Sequence, residues 1–118
     1  LCNIYLVAPT TPDDRIALIV KRAAGFIYYV SREGVTGMQQ KISDTIASMT
    51  GKIRANTDLP IAIGFGISNP EQAKAVAQFA EAIVVGSAVV NQIAEHGKNP
   101  DLVSRVGNFV KTLVSAVK

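Results

Sequence analysis

The stretch Ile61-Ala62-Ile63-Gly64-Phe65-Gly66-Ile67-Ser68-Asn69-Pro70-Glu71-Gln72 contains one complete strand–turn–helix unit. Its first part, Ile61–Phe65, is apolar without alternation, which is typical of a strand buried on both faces of a parallel sheet. A glycine-bearing turn follows it. Asn69-Pro70 then predicts a helix start, because asparagine caps helices, proline needs no helical N–H, and Glu71 favours the positive end of the helix dipole. The stretch therefore predicts a βα unit, with Gln72 placed to close a capping box.

The same unit recurs along the chain, so that four strands and their helices are expected. The strands are predicted at Asn3–Ala8, Phe26–Val30, Ile61–Phe65 and Ala82–Val85. Further helix starts of the same design are Thr11-Pro12-Asp13-Asp14 and Asn99-Pro100-Asp101, and two more helices are expected at about Lys41–Arg54 and Ala88–Ala94. Because no linker or low-complexity stretch divides residues 1–118, we interpret them as a single segment with the order βαβαβαβα.

Four βα units are half of the eight that close a barrel of about 250 residues. A four-stranded segment leaves two unpaired strand edges and an uncovered inner face. We therefore expect either a preceding half that completes the barrel or pairing with a second copy, with a small doubly wound sheet as the remaining alternative. The chain opens at Leu1, without a methionine, and runs straight into a predicted strand, so we expect an artificially shortened chain, a proteolytic product or a chain whose earlier part is missing.

Composition argues against several classes of function. The chain is 48% hydrophobic, yet no apolar run approaches the roughly 18 residues that a membrane span needs. Its net charge of +3 is scattered and only 6% of its residues are aromatic, which gives nucleic-acid binding little support. Cys2 is the only cysteine, so we expect no intrachain disulfide, a cytoplasmic protein, and a core position for Cys2 itself. No cluster of Cys, His and acidic residues indicates a metal site, and no cofactor is expected.

Three glycine-bearing turns follow the second, third and fourth predicted strands. They are Gly34-Val35-Thr36-Gly37, Gly64-Phe65-Gly66-Ile67-Ser68 and Gly86-Ser87-Ala88. In a parallel sheet all three lie at the carboxyl ends of the strands, where glycine backbone and helix N-termini can hold an anion. Each turn alone is more simply a tight turn. Together they predict a phosphate site, where Ser87 either caps the helix or contacts the phosphate.

Four stretches carry a resemblance to a known family, in order and without gaps. The stretches Ile4–Asp13, Gly25–Gly37, Leu59–Gln72 and Ile83–Val90 closely resemble the alpha chains of tryptophan synthase. The resemblance implies the C-terminal four βα units of a TIM (β/α)8 barrel, an α/β fold. The Val-Gly-Ser-Ala stretch at 85–88 recurs in many phosphate-binding barrels and permits another such enzyme, but the Ser-Arg-Glu-Gly-Val-Thr-Gly stretch at 31–37 argues against one.

The family resemblance also implies a reaction, the retro-aldol cleavage of indole-3-glycerol phosphate to indole and glyceraldehyde 3-phosphate. The positions that match the family's phosphate site are Gly37, Gly66, Gly86 and Ser87. Those that match its indole and glycerol pocket are Tyr28, Thr36, Phe65 and Val84, although Phe65 and Val84 fit an apolar core as well. Arg32 and Gly34 match the lid loop. Strand alternation places one of Tyr28 and Tyr29 inside the barrel, and the match selects Tyr28.

The chain lacks an acid and a base suited to this cleavage. The family's two catalytic carboxylates belong to the first half of the barrel, so we expect this segment alone to be inactive. Glu33 lies on a strand-exit loop at a position that the family does not use, and His96 is expected as a charge at a helix end. The family works with a beta subunit that uses pyridoxal phosphate. The alternative is a free-standing, self-associating half-barrel that binds phosphate ligands without catalysis.

Overall fold

The computed structural model describes residues 1–31 and 39–118, apart from the side chains of 39–43. Four strands alternate with helices along this part of the chain, as the sequence predicts. The strands are β1 (Tyr5–Val7), β2 (Ile27–Val30), β3 (Ile61–Gly64) and β4 (Ala82–Val84). The helices are α1 (Asp13–Arg22), α2 (Gln39–Arg54), α3 (Pro70–Ala77), α4 (Ser87–His96) and α5 (Leu102–Val117).

The four strands form one parallel sheet in the order β1-β2-β3-β4. Residues that are partners across parallel strands point to the same face, so the register divides the side chains into two sets. The helical face is formed by Tyr5, Val7, Ile27, Tyr29, Ile61, Ile63 and Ile83. The second face, which we call the open face, is formed by Leu6, Tyr28, Val30, Ala62, Gly64, Ala82 and Val84.

The hydrophobic core lies between the helical face and the helices. Val7, Tyr29 and Ile63 are fully buried there, together with helix residues such as Ile16 and Ile53. On the open face, by contrast, Leu6 is 59% exposed and Val84 38% exposed. A doubly wound sheet has helices on both faces and a reversal of strand order. This sheet has neither in the described residues, which favours the half-barrel over the doubly wound alternative.

Tyr28 and Tyr29 occupy opposite faces, as strand alternation predicts. Tyr29 is fully buried in the core beneath the helices. Tyr28 lies on the open face, half-buried, and pairs in register with Leu6 and Ala62. The prediction that Tyr28 is the inward residue of a barrel strand is therefore confirmed as far as its face is concerned.

The helix starts confirm one prediction and correct two others. The Asn69 side chain accepts a hydrogen bond from the Gln72 N–H at 2.9 Å, so Asn69 caps α3 as expected. The helix α5 begins two residues later than the Asn99-Pro100 pair predicts, after Asp101, whose carboxylate binds Arg105 instead of capping the helix. Thr11 does not cap α1, because its hydroxyl accepts the Ala8 N–H at 3.0 Å.

Two further expectations are wrong in detail. Cys2 is exposed rather than part of the core, because β1 begins only at Tyr5 and Cys2 precedes it. The side chain of Gln72 does not return to Asn69 to close a capping box. Its Oε1 accepts from the Ser68 N–H at 2.9 Å, so the turn before α3 is tied one residue further upstream.

Candidate functional site

Two of the predicted glycine turns lie side by side at the carboxyl edge of the sheet. Gly64 and Val84 are register partners at the ends of β3 and β4. Gly66 follows Gly64 by two residues, and Gly86 follows Val84 by two residues. Both turns therefore leave neighbouring parallel strands at the same level, which is the arrangement expected for two loops that share one ligand.

Gly66 occupies a backbone conformation that only glycine adopts readily. Its φ is +61°, in the left-handed region, where other residues cost roughly 1–2 kcal/mol. A Cβ built at this position meets no atom within 4 Å, so the constraint on Gly66 comes from the backbone and not from crowding. Gly66 is exposed, so the backbone at this residue can approach a ligand without a side chain between them.

The other turn delivers the start of α4 to the same edge. Gly86 is the N-cap residue, and its carbonyl accepts from the N–H groups of Val89 and Val90 at 3.0 and 3.1 Å. Ser87 is the first residue of the helix, which begins one residue earlier than predicted, so the Ser87 hydroxyl is not the N-cap. The first N–H groups of a helix have no intrahelical partner and carry a positive partial charge.

The electrostatics of these two turns come from the backbone alone. Residues 64–68 and 85–88 contain no charged side chain. An anion at this edge would be held by amide dipoles and by the N-terminus of α4, as in phosphate sites that use no lysine. Space is available at the helix start, because a Cβ built on Gly86 meets nothing within 4 Å.

Tyr28 lies over Gly64 on the open face, close to the exit of β3. A Cβ built on Gly64 would lie 2.6 Å from Tyr28 Oη and 2.9 Å from its Cε2, so the ring occupies the space that a larger residue would need. Val84 is the partner of Gly64 on the next strand. Tyr28 and Val84, two residues of the predicted pocket, thus both adjoin Gly64.

Two apolar residues at this edge, Leu6 and Val30, are not among the site residues predicted from the sequence. A cavity of about 620 Å³ opens beside the exits of β1 and β2, lined among others by Leu6, Pro9, Thr10 and Val30. Leu6 and Val30 belong to the open face, Leu6 as the register partner of Tyr28. The signal was present in the sequence, since Val30 follows Tyr28 by two residues and therefore shares its face.

The remaining predicted site residues divide into two groups. Phe65 is only 2% exposed and belongs to the core cluster, so its role in a pocket stays a prediction. Arg32, Gly34, Thr36 and Gly37 lie outside the described residues.

Two described acidic residues near helix starts form ion pairs with basic side chains. Asp13 binds Lys52 Nζ at 2.8 Å. Asp101 binds Arg105 at 2.8 Å, and this hydrogen bond lowers the pKa of Asp101 and raises that of Arg105.

His96 is the last residue of α4, as predicted. Over residues 1–31 and 39–118, no three His, Cys or acidic side chains are grouped so that they could hold a metal ion.

The described helices also include no candidate for crossing a membrane, since none combines sufficient length with sufficient apolarity.

Comparison with known proteins gives one consistent family. The model of the family described as tryptophan synthase alpha chain matches residues 1–118. The chain is 51% identical over 117 residues to the tryptophan synthase alpha chain of Opitutus terrae, covering 98% of this chain and 44% of that relative. It is 55% identical over 93 residues to that of Lactiplantibacillus plantarum, covering 79% and 35%. The chain therefore spans less than half the length of these relatives.

Solved structures show the same similarity. The tryptophan synthase alpha chain of Legionella pneumophila superimposes with a TM-score of 0.83 at 31% identity, covering 99% of this chain and 42% of that one. A tryptophan synthase structure from Mycobacterium tuberculosis gives a TM-score of 0.81 at 32% identity, covering 99% and 42%. Together with the parallel four-stranded sheet, these matches confirm the predicted fold, a half-barrel segment of a TIM barrel.

Proposed function

The chain belongs to the tryptophan synthase alpha chain family, and on that premise we propose that it forms the phosphate-binding part of a lyase of tryptophan biosynthesis. The substrate would be indole-3-glycerol phosphate, cleaved by a retro-aldol reaction to indole and glyceraldehyde 3-phosphate. The observation that carries this proposal is the pairing of Gly64 with Val84, which brings the Gly66 turn and the start of α4 to one edge of the sheet.

In this proposal the chain binds and orients the substrate. Amides of the Gly66 turn and of Gly86 and Ser87 hold the phosphate, while the open face beside Tyr28 and Val84 receives the indole and glycerol part. Anchoring a non-reacting phosphate contributes to catalysis because the binding energy pays for the correct placement of the reacting bond. The proton transfers need a general acid and a general base. We propose that both are carboxylates from the part of the relatives that this chain does not span.

The phosphate site is tested by Gly66→Val. A β-branched residue at a φ of +61° strains the turn or forces it to another conformation. We expect the dissociation constant for indole-3-glycerol phosphate to rise about tenfold or more, measured by calorimetric titration. Gly107→Val is the matched control, because Gly107 lies in α5 and a Cβ there also meets nothing within 4 Å. Equal affinity of the Gly66→Val and Gly107→Val proteins would refute the site.

Cleavage of indole-3-glycerol phosphate is tested separately from phosphate binding. Joining the chain to the missing first half of a relative's barrel should produce cleavage of indole-3-glycerol phosphate, while the chain alone should produce none. The family also implies a beta subunit as partner, so the joined protein should co-purify with that subunit from a relative.

A second candidate is favoured by the exposure of Leu6 and Val84 on the open face. It is a free-standing half-barrel that pairs with a second copy and binds phosphate ligands without catalysis. Size-exclusion chromatography of the chain alone separates the two. A single discrete dimer favours the second candidate, whereas association of no fixed stoichiometry through the exposed face is expected for the first.

A further inference from the structure

Glu81 forms two hydrogen bonds to Ile61, the first residue of β3. It lies directly before β4, at the amino-terminal edge of the sheet and therefore opposite the candidate site. Its Oε2 accepts from the Ile61 N–H at 2.8 Å, and its own N–H donates to the Ile61 carbonyl at 3.1 Å. Both backbone groups of Ile61 are thus bonded to one residue, first through its side chain and then through its main chain.

The side-chain bond satisfies a group that β4 cannot reach. Ile61 is fully buried, and its N–H points towards β4, as its carbonyl does. Because β4 begins only at Ala82, no strand residue offers a carbonyl to this N–H, and a buried N–H without an acceptor costs about 1–3 kcal/mol. The Glu81 carboxylate takes the place of that carbonyl.

Arg54 holds the carboxylate from a third element. Its Nη2, at the end of α2, donates to Glu81 Oε1 at 2.7 Å and more weakly to the Phe79 carbonyl at 3.4 Å. Both side chains of this ion pair are about half exposed, 46% for Arg54 and 48% for Glu81, so the ion pair itself contributes little. The hydrogen bond to the Ile61 N–H is the interaction that fixes the start of β4 relative to the start of β3.

The strand β4 has little else to define its register. It has three residues and three register pairs, and of its side chains only Ile83 is partly buried while Ala82 and Val84 are exposed. A register is weakly specified where few side chains are buried on one face. A slip of two residues would keep Ile83's face and move Gly86 by roughly 6–7 Å along the sheet relative to Gly66.

We propose that Glu81 is a positioning residue that fixes β4 in register with β3 and so sets the spacing between the Gly66 turn and the N-terminus of α4. The consequence for phosphate binding rests on the proposed function, whereas the consequence for the register does not. This assigns to the amino-terminal edge a role in the site at the opposite edge, beyond stability alone.

Three variants of the 118-residue chain test the proposal. The aspartate of Glu81→Asp is too short to bind Arg54 and Ile61 together, whereas Glu81→Gln keeps an acceptor for the Ile61 N–H. Arg54→Ala removes the ion pair and the weak bond to the Phe79 carbonyl but leaves the bond to Ile61. Nuclear magnetic resonance contacts between Gly64 and Val84 report the register, and the exchange rate of the Ile61 amide reports its hydrogen bond. Titration with inorganic phosphate, followed at the amides of Ser87 and Ala88, reports the site.

Glu81→Asp should weaken the Gly64–Val84 contacts and speed exchange of the Ile61 amide about tenfold, as expected for one hydrogen bond lost. Phosphate binding should weaken about tenfold, because the Gly66 turn and the start of α4 would lose their fixed spacing. Glu81→Gln should resemble the wild type in all three. Arg54→Ala should leave the register unchanged and change the free energy of unfolding only slightly, because the ion pair is half exposed. Unchanged contacts and exchange in Glu81→Asp, or the same changes in Arg54→Ala, would overturn the proposal. If the wild type itself binds no phosphate, the proposed function fails while the register measurements still decide the role of Glu81.

Discussion

At the scale of single residues, Gly64 leaves room on the open face for the ring of Tyr28. Gly64→Ala adds a Cβ 2.6 Å from Tyr28 Oη, so the Tyr28 side chain must shift. We expect a loss of about 1–3 kcal/mol in the free energy of unfolding, the usual cost of an enlarged residue in a packed position. Urea unfolding measures it, and Gly51→Ala in α2, where a Cβ meets nothing within 4 Å, is the control.

The contact between the added methyl group and the Tyr28 ring can be removed by a second substitution. In a Tyr28→Ala background, Gly64→Ala should cost much less, because the ring that it meets is gone, and the double-mutant cycle gives the coupling between the two residues. An equal cost in both backgrounds would mean that the crowding is not with Tyr28.

Single side chains differ in how much of their surroundings can be predicted from the sequence. Alternation along a strand separates Tyr28 from Tyr29 and needs only the strand's existence. Alternation assigns Val30 to the same face as Tyr28, but the register pairing of Leu6 with Tyr28 appears only once β1 and β2 are aligned. Cys2 was misplaced for a similar reason, since a core position depended on a strand that begins three residues later.

At the scale of elements, the start of α3 depends on one side chain. Asn69→Ala removes the acceptor of the Gln72 N–H, and such caps are worth about 1 kcal/mol. The matched control is Asn99→Ala, because Asn99 also precedes a proline but caps no helix, α5 beginning after Asp101. Thermal unfolding of the two variants should show a lower midpoint for Asn69→Ala alone. An equal decrease in both would contradict the assignment.

The stability that Glu81 contributes through Ile61 of β3 and Arg54 of α2 should decrease in acid. The Ile61 N–H, followed by Arg54 of α2, lowers the pKa of Glu81 below its ordinary value of 4.5. A folded-state pKa that is depressed contributes stability above the unfolded pKa, and this contribution is lost as pH falls through the folded value. We therefore expect the difference in unfolding free energy between wild type and Glu81→Gln to be constant near neutral pH and to shrink below about pH 4.5. A difference that does not change between pH 7 and pH 3 would refute the effect. Asp101 is unchanged in both proteins, so its own titration cancels.

Element starts were predictable where one local interaction decides them, and not where two compete. The Asn69 side chain accepts from the Gln72 N–H, and this cap was predictable from the Asn-Pro pair alone. At the start of α5 the same Asn-Pro pattern failed, and the structure offers no reason why Asn99 does not cap; the residue that does stand at the N-cap, Asp101, binds Arg105 with its carboxylate instead of a helix amide. Gln72 was drawn to Ser68 for a comparable reason, because that residue offers both an N–H and a hydroxyl to its Oε1.

At the scale of the whole molecule, the strands carry more apolar residues than this fold buries. Their continuous apolar pattern is typical of strands covered on both faces. Helices cover one face in the described structure, while Leu6 and Val84 remain exposed on the other. The order of units was therefore predictable from the sequence. What covers the open face was not, because a buried pattern does not identify its cover.

This mismatch predicts that the chain alone self-associates through the open face. Leu6→Lys combined with Val84→Lys should shift sedimentation velocity profiles towards monomer, because charges on this face oppose the burial that drives association. Both side chains are already exposed, so the fold should persist. Leu18→Lys is the matched control, since Leu18 is 63% exposed, close to the 59% of Leu6, but lies on α1 away from the open face. A wild type that stays monomeric at high concentration, or a Leu18→Lys protein that dissociates as readily as the double variant, would show that the open face does not drive association.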